Sequence, residues 1–247
     1  MTQIKKVSEL HILDTGSSIF ESVKYSIPLY QRDYAWEEKQ IVQLIEDIDD
    51  VQLGENYYIG SLIVANHGGT YEVVDGQQRL TTLFLLLSYL RLNKGNETAL
   101  SFSCREKSNY TLRHIQPILD DERDKFDSDN LQQNIISGLN IIKENIDKFT
   151  EEQKSVFIQK LENVVIYRIE VPEHTDLNHY FEIMNTRGEQ LEQSDVLKAR
   201  LMSELLDNKE GQQAFAAIWD ACRDMTGYVQ MHFTPAQRDE LFGGGLV

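Results

Sequence analysis

The chain has 247 residues, of which 26% are charged and 41% hydrophobic, a composition typical of a folded globular protein rather than a disordered one. Its formal net charge of −16 disfavours a broad, non-specific nucleic-acid surface, which needs a basic face, but is compatible with a small phosphate pocket. Cys104 and Cys222 are far apart and lack metal-ligand spacing; with no signal peptide recognised, we expect a reducing cytoplasm.

The N-terminal part of the sequence predicts little regular structure before one amphipathic helix. Only a short helix or loop is expected over residues 1–20. The stretch "KYSIPLYQRDYAW" (24–36) starts extended, since Pro28 keeps the preceding residue extended. A helix is expected from about Glu37 to Gly54, because its apolar residues recur at helical spacing: Ile41, Leu44, Ile45 and Ile48.

A β-hairpin is predicted next, and it leads directly into a buried helix. The segments 57–65 and 70–74 are rich in β-branched and aromatic residues, and the turn "NHGG" separates them. The helix that follows carries an apolar stripe made of Leu80, Leu83, Phe84, Leu87 and Leu90. Its apolar run is too short to span a membrane.

The second half is predicted to be mainly helical and to return one strand. Helices are expected around residues 135–146 and from a capping box at Thr150, and the buried strand "VVIYRIEV" (164–171) stops at Pro172. We therefore expect an α+β fold. A small mixed β-sheet with packed helices occupies residues 1–98, a mainly helical subdomain residues 99–242, and a linker or truncated end residues 243–247.

The segment "VVDGQQRLTTLFLLL" (73–87) places an arginine in the first turn of the predicted helix. As a helix start, Asp75 is a good N-cap, and Gln78 resembles the second half of a capping box. Arg79 does not fit this interpretation, because a cation in the first turn opposes the helix dipole. Free backbone N–H groups beside a cation suit an anion, so a phosphate site is the alternative. The motif alone leaves both interpretations open.

The stretch "IPLYQRDYAW" places polar residues just past a predicted strand. One interpretation is a loop that docks its aromatic side chains, such as Tyr34 and Trp36, in the core. The other, which we favour, is a pocket wall. In it Tyr30 lies against a base or sugar, and Gln31 and Arg32 contact polar edges or phosphate oxygens.

We expect these two segments to face one pocket. If the strands ending at Tyr30 and Val74 lie in one sheet and end at the same edge, Arg32 and Arg79 converge beside the helix N-terminus. An acidic neighbour such as Asp75, or a bound anion, then lies between the two arginines.

Three blocks occur in order, "IPLYQRDYAW", "VVDGQQRLTTL" and "FEIMNTRGEQLEQSDVLKA". Together they resemble the N-terminal domain of GmrSD-type restriction endonucleases, the GmrS-like family, over residues 8–230. The resemblance implies a ParB/sulfiredoxin-like fold and nucleotide binding and hydrolysis linked to the Asp-Gly-Gln-Gln-Arg motif. It also implies defence against phage DNA with modified bases or backbones, in which an HNH-type nuclease domain usually follows. This sequence stops before such a domain, so we expect the nuclease to be lost, excised or a separate partner.

The same resemblance assigns roles to the motif residues. Asp75, Gly76, Gln77, Gln78 and Arg79 become the nucleotide-site motif. Arg79 would neutralise phosphate charge, either glutamine would orient phosphate or water, and Asp75 would hold Mg²⁺ or polarise that water.

Two further groups of residues are implied around this motif. The second wall would be Tyr30, Gln31 and Arg32. A candidate third edge consists of Asn185, Arg187 and Gly188, which on their own read as a plain helix stop.

We therefore expect an NTP-binding, NTP-hydrolysing regulatory domain of a modification-dependent DNA restriction system, with NTP and Mg²⁺ as cofactors. The alternative is a non-enzymatic nucleotide- or DNA-sensing module that needs a partner nuclease. Expected partners are modified phage DNA, an HNH-type nuclease and a second copy of the chain, with no membrane involved. The chain alone is not expected to cut DNA.

Overall fold

The computed structural model describes residues 6–13, 18–93, 95–172, 197–198, 201–202, 205 and 209–222. The chain divides into two compact units, residues 1–199 and 200–247. The described strands of the first unit are β1 (Lys6–His11), β2 (Lys24–Ile27), β3 (Tyr57–His67), β4 (Thr70–Asp75), β5 (Leu100–Phe102) and β6 (Val164–Glu170). Its helices include α1 (Glu38–Asp49), α2 (Gln77–Tyr89), α3 (Glu106–Arg113), α4 (Ile115–Leu119), α5 (Gln133–Ile146) and α6 (Glu151–Glu162).

The six strands form one mixed sheet in the order β1-β6-β3-β4-β2-β5. β1 is antiparallel to β6 and β3 is antiparallel to β4, whereas the pairs β3·β6, β2·β4 and β2·β5 are parallel. The predicted hairpin is β3 and β4, and the predicted returning strand is β6, which lies beside β3 near the middle of the sheet. The predicted α+β class is confirmed.

Helices cover one face of this sheet and form the main core with it. α2 is the centre of that core, since every residue from Leu80 to Ser88 is buried. The predicted apolar stripe of α1 is buried as well. Each such side chain contributes about 1.5–3 kcal/mol by leaving water. The other face carries a smaller cluster of Ile63, Ala65, Val74 and Val171, with Tyr30 and Ile169 packed against it. The start of α2 is therefore held by the largest apolar core of the unit.

Several predictions about elements are wrong or incomplete. Residues 6–11 form β1 rather than a helix or loop, because pairing with β6 supplies an order that their irregular burial pattern does not indicate. α1 ends at Asp49, before Gly54, whose φ of +87° lies in the connection to β3. The sequence pattern did not predict α3 or α4. The capping box at Thr150 is confirmed at the start of α6.

The described part of the second unit includes helix α7 (Lys209–Cys222). Phe215 and Trp219, four residues apart, bring their ring centroids to 5.4 Å, which is the expected spacing for neighbours on one helix face. The predicted division after residue 98 stays a prediction, although β5 and β6 come from beyond it. Among the residues described, no helix has the length and hydrophobicity needed to cross a bilayer.

Candidate functional site

The turn between β4 and α2 is built around Gly76. This residue is the N-cap of α2 and has a left-handed backbone, with φ at +89°. A Cβ here would lie 3.0 Å from the Ser61 carbonyl oxygen, so both the conformation and the close approach require glycine. The predicted N-cap at Asp75 and its capping box are wrong, because Asp75 still pairs with Ile63 as the last residue of β4. Within the ranges that the structure describes, no side chain caps α2, so its first N–H groups remain available.

Gln78 connects this helix start to the loop after β2. Its Oε1 accepts a hydrogen bond from the Ala35 N–H at 2.8 Å, and its Nε2 donates to the Asp33 carbonyl at 3.0 Å. The same nitrogen also donates to Oε1 of Gln77 at 3.0 Å. Both N–H bonds of the Gln78 amide are therefore used inside the protein, and the backbone donor at Ala35 fixes which way the amide faces.

Gln77 presents a buried donor that the protein does not satisfy. The residue is 4% exposed, and its Nε2 has no hydrogen-bond partner within the part of the chain that the structure describes. Turning its amide over would place two nitrogens against each other, because the orientation of Gln78 is already fixed. Buried donors of this kind are rare and call for a water or a ligand acceptor. Of the two glutamines, Gln77 is therefore the one whose amide nitrogen is available to donate to a ligand.

Arg79 extends from the first turn of α2 to the start of β3. A Cβ on Gly60 would lie 2.7 Å from its Nη1 and 3.0 Å from its Cζ, so a larger residue here would displace the guanidinium. Gly60 has φ at +127° and lies where the β3·β6 register shifts, between Tyr58 and Ser61. Neither a hydrogen bond nor an ion pair joins Arg79 to another residue of the described ranges. The backbone thus makes room for a cation that pairs with no carboxylate of the described residues.

Arg79 also lines a cleft of about 300 Å³, which we call the α1–β3 cleft. Its other walls come from Trp36, from α1 and from residues 57–59 at the start of β3. The exposed face of α1 contributes Lys39, Gln40, Gln43 and Asp47 to the lining. Partial burial and the carboxylates of Asp47 and Asp50 raise the pKa of Tyr57, so its hydroxyl stays protonated at neutral pH.

Asp75 is the carboxylate nearest in sequence to this helix start. Its side chain is half-buried, and no described residue donates a hydrogen bond to its carboxylate or forms an ion pair with it. No cluster of three or more metal-ligating side chains exists among the residues described. A single carboxylate suits Mg²⁺ of the kind held mainly by phosphate oxygens and waters, which is the donor set that a bound nucleotide supplies. The predicted Mg²⁺ role of Asp75 stays a prediction.

The segment Tyr30–Arg32 lies beside the end of β4, although β2 ends at Ile27 and not at Tyr30 as expected. β2 and β4 are parallel neighbours, and Gln31, which is 4% exposed, donates from Nε2 to the carbonyls of Val73 and Val74 at 2.6 and 2.8 Å. These hydrogen bonds hold the loop after β2 against β4, so the Gln31 amide does not form an open pocket wall. Arg32 is half-buried and has no hydrogen bond or ion pair with the described residues.

Tyr30 faces the smaller apolar cluster rather than the α1–β3 cleft. Its hydroxyl donates to Glu72 at 3.3 Å, and burial raises its pKa far above the ordinary range. Neither Tyr30, Gln31 nor Arg32 lines the cleft that contains Arg79. The two segments adjoin at the end of β4, but the walls facing Arg79 come from α1 and β3. Asn185, Arg187 and Gly188 lie outside the described residues.

Sequence reasoning missed two residues that shape this region. Arg105, 9% exposed, pairs with Asp33 at 2.9 Å and donates to the Gln31 carbonyl, so it holds the loop after β2. No local pattern points to this arginine, which is 72 or more positions from its partners. Gly60 was detectable, since a glycine inside a strand pattern indicates a bulge or a close approach.

A family model described as the GmrSD restriction endonuclease, N-terminal domain, matches residues 16–202. The match covers most of the chain and includes all three sequence blocks. A search of curated proteins finds no match. The uncapped start of α2 and its Asp-Gly-Gln-Gln-Arg segment lie within the matched range. The chain therefore belongs to the family of GmrSD restriction endonuclease N-terminal domains, which makes it a module of a DNA restriction and defence system.

Proposed function

We propose that this chain binds a nucleoside triphosphate at the start of α2 and hydrolyses it, as the regulatory domain of a modification-dependent restriction system. The observation that carries the proposal is the set of unsatisfied donors there. The first turn of α2 has no side-chain cap, Gln77 Nε2 is buried without an acceptor, and Arg79 has no anionic partner in the described structure. A polyphosphate supplies acceptors for all three.

Each motif residue then has a distinct role. The N–H groups of the first turn and Gln77 Nε2 donate to phosphate oxygens, and Arg79 neutralises their charge. Gln78 is a positioning residue, because its amide ties the helix start to Asp33 and Ala35. Asp75 would hold Mg²⁺ together with the phosphates. That ion would neutralise charge that develops as the terminal phosphate is attacked by water.

The wider role follows from the family. In this proposal the nucleotide state of the chain controls an HNH-type nuclease, present as a further domain or as a separate subunit, that acts on modified phage DNA. A nucleotide-sensing switch without hydrolysis is the second candidate. The single carboxylate at the helix start favours it, since no second acidic group of the motif is available to activate water.

The test is binding and phosphate release with each of the four NTPs and Mg²⁺. Arg79→Ala should abolish binding, and Gln77→Leu should weaken it about 10- to 100-fold. Arg91→Ala is the matched control, because Arg91 lies just beyond the other end of α2 in an exposed ion pair with Asp120. Binding with release supports the enzyme, and binding without release supports the switch. If the folded wild-type chain binds none of the four NTPs by calorimetry, the proposal is wrong.

A further inference from the structure

We infer that the α1–β3 cleft receives the base of the nucleotide whose phosphates bind at the start of α2. This inference rests on the proposed function and specifies where the rest of that ligand lies. Arg79 belongs to both places, since its backbone is in the first turn of α2 and its guanidinium lines the cleft.

The backbone of β3 brings the two places together. Ser61 approaches Gly76 at the helix N-cap, and the adjacent Gly60 underlies the Arg79 guanidinium. One short segment of β3 therefore forms the floor beneath both the helix start and the entrance to the cleft. A ligand with phosphates at one end and a flat ring at the other matches this arrangement.

Aromatic side chains in the cleft are exposed in a way that suits stacking. Tyr57 and Tyr58 are 37% and 48% exposed, and half-buried Trp36 completes the aromatic lining. Tyr58 is held in place, because its hydroxyl bonds to Ser61 at 2.6 Å and its ring lies 5.0 Å from that of Tyr167. A ring that is already fixed loses little freedom on stacking against a base.

The opposite wall provides polar groups for the edges of a base. Gln43 donates to Asp47 at 2.8 Å, so one turn of α1 presents an ordered amide and carboxylate. The volume of about 300 Å³ accommodates a single base with its sugar, at the small end of the range for ligand pockets. A continuous nucleic-acid strand is disfavoured by this size and by the net charge of −16.

The experiment uses Trp36 as an internal probe. The chain has two tryptophans, so Trp219→Phe leaves Trp36 as the sole tryptophan. An NTP with Mg²⁺ should quench Trp36 emission by stacking in the cleft. Inorganic tripolyphosphate should bind by calorimetry without that quenching, because it has no base.

A tyrosine pair separates stacking from folding. Tyr58→Ala should weaken NTP binding about 5- to 100-fold, as expected for one lost base stack, and leave tripolyphosphate binding unchanged. Tyr58→Phe loses the bond to Ser61 but keeps the ring and its contact with Tyr167, so it should bind NTP more tightly than Tyr58→Ala does. Thermal unfolding of both variants checks that the fold is intact.

Two outcomes overturn the inference and leave the proposed function standing. If NTP binds without quenching Trp36, or binds Tyr58→Ala as tightly as the wild type, the base lies elsewhere. Equal quenching by tripolyphosphate would indicate a rearrangement rather than stacking. Loss of all NTP binding in the wild type would instead refute the proposed function, and the inference with it.

Discussion

The two adjacent glutamines of the motif are predicted to respond in opposite ways to the same substitution. Gln77→Leu and Gln78→Leu each replace an amide by an apolar side chain of similar size in the first turn of α2. Gln78 uses its amide to bind Ala35, Asp33 and Gln77, whereas Gln77 only accepts one bond from Gln78 and leaves its own Nε2 unsatisfied. The first change therefore removes a proposed ligand contact, and the second removes structural hydrogen bonds.

The magnitudes follow from the bonds each variant loses. Gln78→Leu removes three hydrogen bonds and leaves the Ala35 N–H without its acceptor, so unfolding should become easier by about 2–3 kcal/mol. For a chain of this size that lowers Tm by about 4–10 °C. Gln77→Leu removes one bond of about 1 kcal/mol but also a buried unsatisfied donor that costs about 1–3 kcal/mol, so Tm should stay the same or rise slightly.

Thermal unfolding without ligand, followed by calorimetric titration with NTP and Mg²⁺, measures both effects. Gln77→Leu should weaken binding about 10- to 100-fold, because it deletes a hydrogen bond to a charged phosphate. Gln78→Leu should weaken it less, since its contact with the ligand is indirect. If Gln77→Leu lowers Tm as much as Gln78→Leu, or leaves affinity unchanged, Gln77 is a structural residue and the reasoning fails.

Three further predictions concern single residues. Arg79→Ala should abolish NTP binding in calorimetry while Tm stays level or rises, because a first-turn cation opposes the helix dipole by about 0.3–1 kcal/mol; a large fall in Tm would contradict this. Gly138→Ala should lower the free energy of unfolding, measured by urea titration, by about 1–2 kcal/mol. The new Cβ would lie 2.7 Å from Tyr34, which is buried and bonded to Thr82 at 2.9 Å. This clash outweighs the gain of about 1 kcal/mol in helix propensity. Burial raises the pKa of the Glu72 carboxyl above its ordinary value of 4.5, an effect partly opposed by His67. Between the unfolded and the folded pKa the folded state binds more protons, so stability should fall as pH rises through this range. Glu72→Gln should lose this fall when Tm is measured from about pH 4 to 7.

Local pattern was sufficient for elements whose order comes from their own residues. The stripe of Ile41, Leu44, Ile45 and Ile48 predicts α1, alternating and β-branched residues predict the hairpin of β3 and β4, and the capping box at Thr150 marks the start of α6. The family was also recognisable from the three blocks alone. β1 was missed because its order comes from pairing with β6, more than 150 positions away.

The candidate site, like the fold, has some features that local sequence predicts and others that depend on distant contacts. From the sequence alone, Arg79 stands out as a cation in a helix first turn, and that inference needs nothing beyond α2 itself. Only the tertiary structure decided that Gln78 is a positioning residue and Gln77 the unsatisfied donor, because the partners of Gln78 lie on a loop more than 40 positions away. Only the tertiary structure placed Gly60 under the guanidinium and α1 across from it, where the sequence had indicated Tyr30–Arg32. Residue chemistry and spacing can be read directly along the chain. The hydrogen-bond partners of each polar group depend on strand order and register, and no local sequence pattern encodes these.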